Sequence, residues 1–256
     1  MLYFAVHPNS VERLPFTLTE SSVLAVIPAR FHSTRLPGKI LADIAGKPMI
    51  EHVYRRAASA SRVHAVIVAT DDERIASAVR AFGGAAIMTR ADHVSGTDRI
   101  AEVISQLPCA IVVNVQGDEP LIDPETIDAA IVPLQDDSSV AMSTLSRPFK
   151  NRDEFENPNV VKVVTNNFGD ALYFSRAPIP GAAAHIGLYV YRRKTLLDLA
   201  ASPPAAQELQ ERLEQLRALA HGVKIRVVPT AHSAAGVDTP EDLDRVRSLM
   251  MASSRT

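Results

Sequence analysis

Short, continuous apolar runs alternate with helical patterns through the first half of the chain. "VLAVIPA" (23–29), "VHAVIVATDD" (63–72) and "AIVVNVQ" (110–116) are apolar at consecutive positions, which predicts strands buried on both faces. Between them "MIEHVYRRAASA" (49–60), "ERIASAVRAFGG" (73–84) and "IAEVISQL" (100–107) predict helices. Glycine closes the second of these, and acidic residues stand at its positive end. Buried strands separated by helices imply a doubly wound α/β fold with a mostly parallel sheet.

After residue 138 the pattern changes. "SVAMSTLSRP", "NVVKVVT", "DALYFSR" and "IGLYVYR" alternate more strongly and are joined by Pro, Asn and Gly turns, as antiparallel or edge strands are. This predicts a β-rich insertion at about 138–190. A long amphipathic helix is expected over 206–221, with Leu209, Leu213, Leu216 and Ala220 on one stripe and Gly222 as its stop. A strand follows at 223–229. The last helix spans 239–250, with Thr239 as its cap and Pro240 in the first helical position.

Hydrophobic residues make up 46% of the 256 positions, enough for a sizeable core. Lys and Arg total 27 against 29 Asp and Glu, so no overall basic field points to nucleic acid or an anionic membrane. Anion binding has to be local. The single Cys109 cannot form an intrachain disulfide, which suits a reducing compartment, and its apolar setting reads as a buried small hydrophobe. No window reaches the roughly 18 to 20 apolar residues of a membrane span, so a soluble cytoplasmic protein is expected. Residues 1–21 read as an N-terminal extension, open to being disordered, ahead of a single domain at 22–252.

Three elements carry candidate chemistry. "AVIPARFHSTRLPGKIL" (25–41) passes from a strand into a loop, and ligands of open parallel sheets collect in such loops beyond the strand ends. Pro37-Gly38 fixes a turn there. Arg30 and Arg35 offer forked donors and Lys39 a compact charge, together able to neutralise most of a triphosphate. Neither a Walker A loop nor a G-x-G-x-x-G fingerprint is present. In "VVNVQGDEPLID", Asp118 stands past a buried strand, where a carboxylate is costly unless paired or metal-bound. In "AAGVDTPEDL", Asp238 directly precedes a helix cap and is either a capping residue or a ligand. Two carboxylates near a polyphosphate loop suit Mg²⁺, which takes one or two of them and leaves its other positions to phosphate and water. The eight histidines include no H-E-x-x-H or paired His/Cys spacing for a metal.

With these elements in hand, the chain resembles the 3-deoxy-D-manno-octulosonate (Kdo) cytidylyltransferases over residues 22 to about 250. The resemblance rests on "IPARFHSTRLPGK", "GKPMIEHVYRRA", "VATDDERI", "TRADHVSGTDRIAEV", "VNVQGDEPLI", "NPNVVKVV", "ALYFSRAPIP", "HIGLYVYR", "LEQLRAL" and "GVDTPEDLDRVR", in that order. It implies a fold of the nucleotide-diphosphosugar-transferase type. The implied reaction is CTP plus the acidic sugar Kdo to CMP-Kdo and pyrophosphate, with magnesium, in a cytoplasmic homodimer feeding lipopolysaccharide assembly. By the same resemblance the nucleotide loop falls on Ala29, Arg30, Arg35 and Lys39, and the cytosine and ribose contacts around Arg90, Asp92, Ser95 and Gly96. Asp118 and Asp238 become the magnesium ligands. Lys39, Arg30, Asp118 and Asp238 carry catalysis, while Gln116, Arg176, His185, Tyr189, Glu214 and Gln215 line the sugar pocket.

Arg176 either clasps the substrate carboxylate or pairs with an acidic neighbour. His185 either donates to the sugar or is a satisfied core group. Glu211, Glu214 and Gln215 share a helix face that solvation explains equally well, so the resemblance alone promotes Glu214 and Gln215. The sequence departs from the family pattern in the sugar half. Only "GAAA" separates Pro180 from His185, and "SPPAAQEL" replaces a frequent "SPLE". Kdo variants such as 8-amino-Kdo, other acidic sugars, and a non-catalytic nucleotide-binding protein therefore stand as alternatives.

Overall fold

The apolar run at 23–29 forms β1 (Val23–Ala29) in the computed structural model, which describes residues 14–33, 35–232 and 236–253. A one-turn 3-10 helix (Lys39–Leu41) and a small hairpin, β2 (Asp43–Ile44) with β3 (Lys47–Pro48), lead to α1 (Met49–Ser59). Then β4 (Ala65–Thr70), α2 (Glu73–Ala81), β5 (Ala85–Met88), α3 (Gly96–Ile104) and β6 (Ile111–Asn114) follow. β1 pairs in parallel with β4 and β6, and β4 with β5, giving the order β6-β1-β4-β5. The strand interiors are buried nearly throughout, as consecutive apolar positions require when helices cover the sheet. α1, α2 and α3 supply that cover with Ile50, Val53, Ile75, Val79, Ile100 and Ile104, each contributing about 1.5–3 kcal/mol of burial.

This first compact unit comprises Met1–Glu125 and Ala234–Thr256; Thr126–Ser233 forms the second. The second unit begins with α4 (Pro124–Asp136), whose internal Pro133 hides it from a reading by periodicity. It continues through β7 (Met142–Arg147), α5 (Arg152–Glu156), β8 (Lys162–Thr165), β9 (Ala171–Ser175), β10 (Ala183–Arg192) and α6 (Arg193–Ala201). β7, β10, β8 and β9 pair antiparallel in that sequence, and β11 (Ile225–Pro229) adds to β7 in parallel. The chain then returns to the first unit as α9 (Pro240–Ser253). The fold is the α/β class expected, with parallel strands flanked by helices.

The single helix expected at 206–221 is instead two, α7 (Ala206–Glu211) and α8 (Gln215–Ala220). Arg212 adopts a left-handed conformation (φ 56°) that ends α7. Arg176 satisfies the carbonyls so exposed, its Nε donating to Glu211 O at 3.0 Å. Arg217 of α8 pairs with Glu208 of α7 at 2.6 Å across the break. Leu213 and Leu216 are buried by this arrangement while Leu209 is left 66% exposed, so the leucine stripe does not face one surface. Cys109 is buried and free, as its sequence context suggests. The N-terminal extension lies outside the described residues up to position 13, and residues 14–21 form neither helix nor strand. No described helix is long and apolar enough to cross a membrane.

Candidate active site

Ala29 ends β1, and the chain enters a loop that places Arg30 on the surface. Gly38 N donates to Phe31 O at 3.1 Å and closes the loop. Gly38 itself is left-handed (φ +69°), and a Cβ there would stand 3.2 Å from Phe31 Cζ, so position and conformation both select glycine. Phe31 is covered on its face by the Arg74 guanidinium, 3.4 Å from the ring centroid. Arg74 is held in turn by Asp72 at 2.5 Å, and Asp72 caps α2 by accepting from Arg74 N. The Arg74 hydrogen bond holds the Asp72 carboxyl below the usual carboxylate range. The "VATDDERI" segment thus fixes the loop after β1 through Phe31.

Lys39 is the hub. Its Nζ donates to Asp118 Oδ2 at 2.6 Å, to Val237 O at 2.9 Å and to Asp238 Oδ1 at 3.0 Å, which uses all three ammonium donors. Arg35 reaches the same Asp238 oxygen at 3.0 Å. Burial works to lower the Lys39 pKa, but Asp118 and then Asp238 outweigh it and the ammonium is held above its ordinary value. The Lys39 side chain is 11% exposed, against 32% for Asp118 and 48% for Asp238. The carboxylates therefore keep open sides while sharing one cation.

Each carboxylate arrives for a local reason. Asp118 follows β6 on a loop that passes close to β1: a Cβ on Gly117 would lie 3.2 Å from Pro28 O and 3.1 Å from Ile40 Cδ1. Val237 N donates to Asp118 O at 2.8 Å and ties the two loops together. Asp238 precedes α9, whose start is a reciprocal capping box. Thr239 Oγ1 accepts from Asp242 N, and the Asp242 carboxylate accepts from the Asp238 and Thr239 amides. Thr239 and Asp242 do the capping, which leaves the Asp238 carboxylate to Lys39 and Arg35. The Asp238 carboxylate is thus not the cap of α9.

Glu119, beside Asp118, has Oε2 buried without a hydrogen-bond partner among the described residues. Burial, reinforced by the Asp118 charge, pushes its carboxyl up to about 8. The cost of a carboxylate at this strand end is avoided by protonation at Glu119 and by pairing at Asp118.

Arg90, Asp92, Ser95 and Gly96 occupy the connection from β5 to α3. Arg90 Nε contacts Asp92 Oδ1 at 3.1 Å, and Arg90 N donates to Glu102 at 3.2 Å. His93 meets the same Glu102 carboxylate. Ser95 caps α3, its Oγ accepting from Asp98 N at 3.1 Å, and Gly96 opens that helix. All these loops leave the carboxyl ends of the parallel strands, where an open α/β sheet binds ligands.

The residues expected around the sugar are distributed over both units. Gln116, in the first, donates to Asn114 Oδ1 at 2.9 Å. In the second, the Arg176 guanidinium lies against the carbonyls of Glu211, Pro158 and Arg212, and Glu211 accepts from Arg176 N at 3.0 Å. His185 sits between Phe174 and Tyr189, with centroids at 5.0 and 5.5 Å. Its Nε2 lies 2.8 Å from Thr144 Oγ1, and burial pushes its pKa down to about 3. Glu214 is exposed at the start of α8, and Gln215 is buried with Nε2 unpaired among the described residues. Phe31, Arg74, Gly117, Asp242, Thr144 and the Val237 carbonyl enter only with the structure. Of these, only the T-x-x-D spacing of Thr239 and Asp242 was readable as a pattern.

A family model described as cytidylyltransferase matches residues 24–225. The chain is 55% identical over 244 residues to a 3-deoxy-manno-octulosonate cytidylyltransferase of Geobacter sulfurreducens, covering 88% of this chain and 98% of that protein. It is 54% identical over 240 residues to the protein of the same name from Solibacter usitatus, covering 90% and 95%. Among solved structures, a CMP:2-keto-3-deoxy-manno-octonic acid synthetase complexed with CTP superposes with a TM-score of 0.88 at 46% identity, over 91% of this chain and all of that one. A 4-diphosphocytidyl-2C-methyl-D-erythritol synthase from Anaerococcus prevotii, at 13% identity and a TM-score of 0.65, shares the fold over 91% of this chain and 99% of its own.

Proposed function

The chain belongs to the cytidylyltransferase family of the 3-deoxy-manno-octulosonate type, and from that premise we propose that it transfers CMP from CTP to the anomeric hydroxyl of Kdo, releasing pyrophosphate. The observation that carries this reading is the gathering of Asp118 and Asp238 around Lys39, with Arg35 alongside, at the carboxyl ends of the parallel strands.

In-line attack of the sugar hydroxyl on the α-phosphate needs little covalent chemistry from a protein. Lys39, Arg35 and Arg30 hold and neutralise the phosphates, and Ala29 bounds the same loop. Arg90, Asp92, Ser95 and Gly96 serve the nucleoside. Gln116, Arg176, His185, Tyr189, Glu214 and Gln215 serve the sugar. A hard divalent cation suits two oxygen ligands that are close together, already share a positive partner, and keep exposed sides. Asp118 and Asp238 would hold magnesium, which would supply charge neutralisation at the phosphates and acidify a coordinated hydroxyl. A cytoplasmic homodimer supplying lipopolysaccharide assembly completes the reading by resemblance.

The test is pyrophosphate release from CTP and Mg²⁺ with Kdo, 8-amino-Kdo or N-acetylneuraminate as acceptor. Turnover mainly with Kdo supports the assignment and shows that the short "GAAA" connection is tolerated. Preference for another acid keeps cytidylyl transfer and moves the sugar. CTP binding with no turnover on any acceptor refutes the enzyme reading.

A further inference from the structure

β10 carries a bulge opposite β7: Ile186 pairs with Leu145 and Tyr189 with Thr144, so Gly187 and Leu188 have no partners on β7. The buried Thr144 hydroxyl sits against that bulge, with Oγ1 2.8 Å from Leu188 O and 3.2 Å from Ile186 O. Both of those atoms are carbonyl oxygens, which only accept. A threonine hydroxyl has one proton, so that proton is directed to the bulge. Were it turned to His185 instead, Oγ1 would present lone pairs to a carbonyl oxygen at 2.8 Å with no proton between them, which is unfavourable. His185 Nε2, also 2.8 Å from Oγ1, must then be the donor in its contact with Thr144.

The rest of the environment agrees. The ring lies between Phe174 and Tyr189, and burial disfavours its charged form, so the imidazole is neutral and carries one proton. With that proton on Nε2, Nδ1 is a bare acceptor, and it has no hydrogen-bond partner among the described residues.

We propose that Thr144 is a positioning residue that locks His185 in the Nε2-protonated tautomer, so that His185 meets the acceptor sugar through Nδ1 and reads a hydroxyl donor. This deepens the proposed function and rests on its placement of His185 on the sugar side. It also differs from both roles expected from the sequence, where His185 either donates to the sugar or is a satisfied core group. The selectivity follows. A hydroxyl or amino group satisfies Nδ1, whereas a carboxylate or carbonyl oxygen at that position meets a lone pair and is rejected.

The test uses the full chain labelled with 15N-histidine, with His185→Gln identifying the resonances. The wild-type ring is expected to show protonated Nε2 and bare Nδ1, and saturating Kdo is expected to move the Nδ1 resonance toward a hydrogen-bonded value. Thr144→Val should mix the tautomers and raise KM for Kdo about tenfold with KM for CTP unchanged, as loss of one orienting hydrogen bond allows. Thr144→Ser should restore both readouts. A wild-type ring protonated at Nδ1 overturns the lock even if Kdo is turned over. An Nδ1 resonance unmoved by Kdo, or a Thr144→Val protein with wild-type spectrum and KM, overturns the proposal as well. An Nε2-protonated ring in a protein that makes no CMP-Kdo overturns the functional reading, and the sugar contact with it.

Discussion

Replacing Lys39 by methionine removes the ammonium and keeps a stem of similar length. The lost contacts are those to Asp118 at 2.6 Å, to Asp238 at 3.0 Å and to Val237 O at 2.9 Å. At an effective dielectric near 20, a unit-charge pair at such range attracts by about 6 kcal/mol. Both carboxylates are open to water, 32% and 48% exposed, so screening reduces the net contribution to about 1 kcal/mol. In a chain of this size that is a fall in Tm of roughly 2–4 °C. Turnover responds on another scale, because negative charge grows on the departing pyrophosphate, and losing one preorganised positive charge beside it costs on the order of 10²-fold or more. The expectation is about a hundredfold loss of kcat with a fall in Tm of only about 2–4 °C, read by pyrophosphate release and calorimetry on the same preparation. Turnover within tenfold of wild type would remove Lys39 from the mechanism. The sign with pH follows from the raised Lys39 pKa: the stability gap between wild type and Lys39→Met is full below pH 10.5 and shrinks as pH rises through the folded value.

Gly38→Ala forces a Cβ into a left-handed position 3.2 Å from Phe31 Cζ, which should cost about 1–2 kcal/mol and raise KM for CTP; an unchanged Tm would contradict the strain. Asp242→Ala removes the acceptor for the amides of Asp238 and Thr239 and should cost about 1 kcal/mol in a thermal melt, with a fall in kcat as Asp238 loosens. A variant with lowered Tm and full kcat would show that Asp238 does not depend on this cap. Away from the site, Glu154 accepts from Arg147 at 2.5 and 2.8 Å, and that pairing lowers its carboxyl to about 2. The Tm gap between wild type and Glu154→Gln should be full above pH 4.5 and close as pH falls toward about 2; a gap that widens with acid would reverse the assignment.

Local periodicity determined much of the architecture. Continuous apolar runs specified β1, β4 and β6 because strands covered on both faces need no polar alternation, and β1 matches its expected bounds at Val23–Ala29. The start of α9 was equally legible, since Thr239 as its cap and Pro240 in its first position act through neighbours in sequence. The ordered motifs also pointed to the family by themselves, before any geometry.

Other features required contacts between distant residues. Nothing in the apolar pattern of 206–221 distinguishes one helix from two. The break depends on Arg176, some 35 residues earlier, meeting the carbonyls that Arg212 leaves open. The charged hub is the clearest case. Lys39 lies 79 residues from Asp118 and 199 from Asp238, and their ion pairs exist because loops from β1, β6 and the segment before α9 converge at one end of a sheet. Hydrophobic patterning fixes which face of an element is buried, a local matter. The direction in which a loop carboxylate points, and the proton that His185 carries, are set by hydrogen bonds and charges that only the folded chain brings within 3 Å.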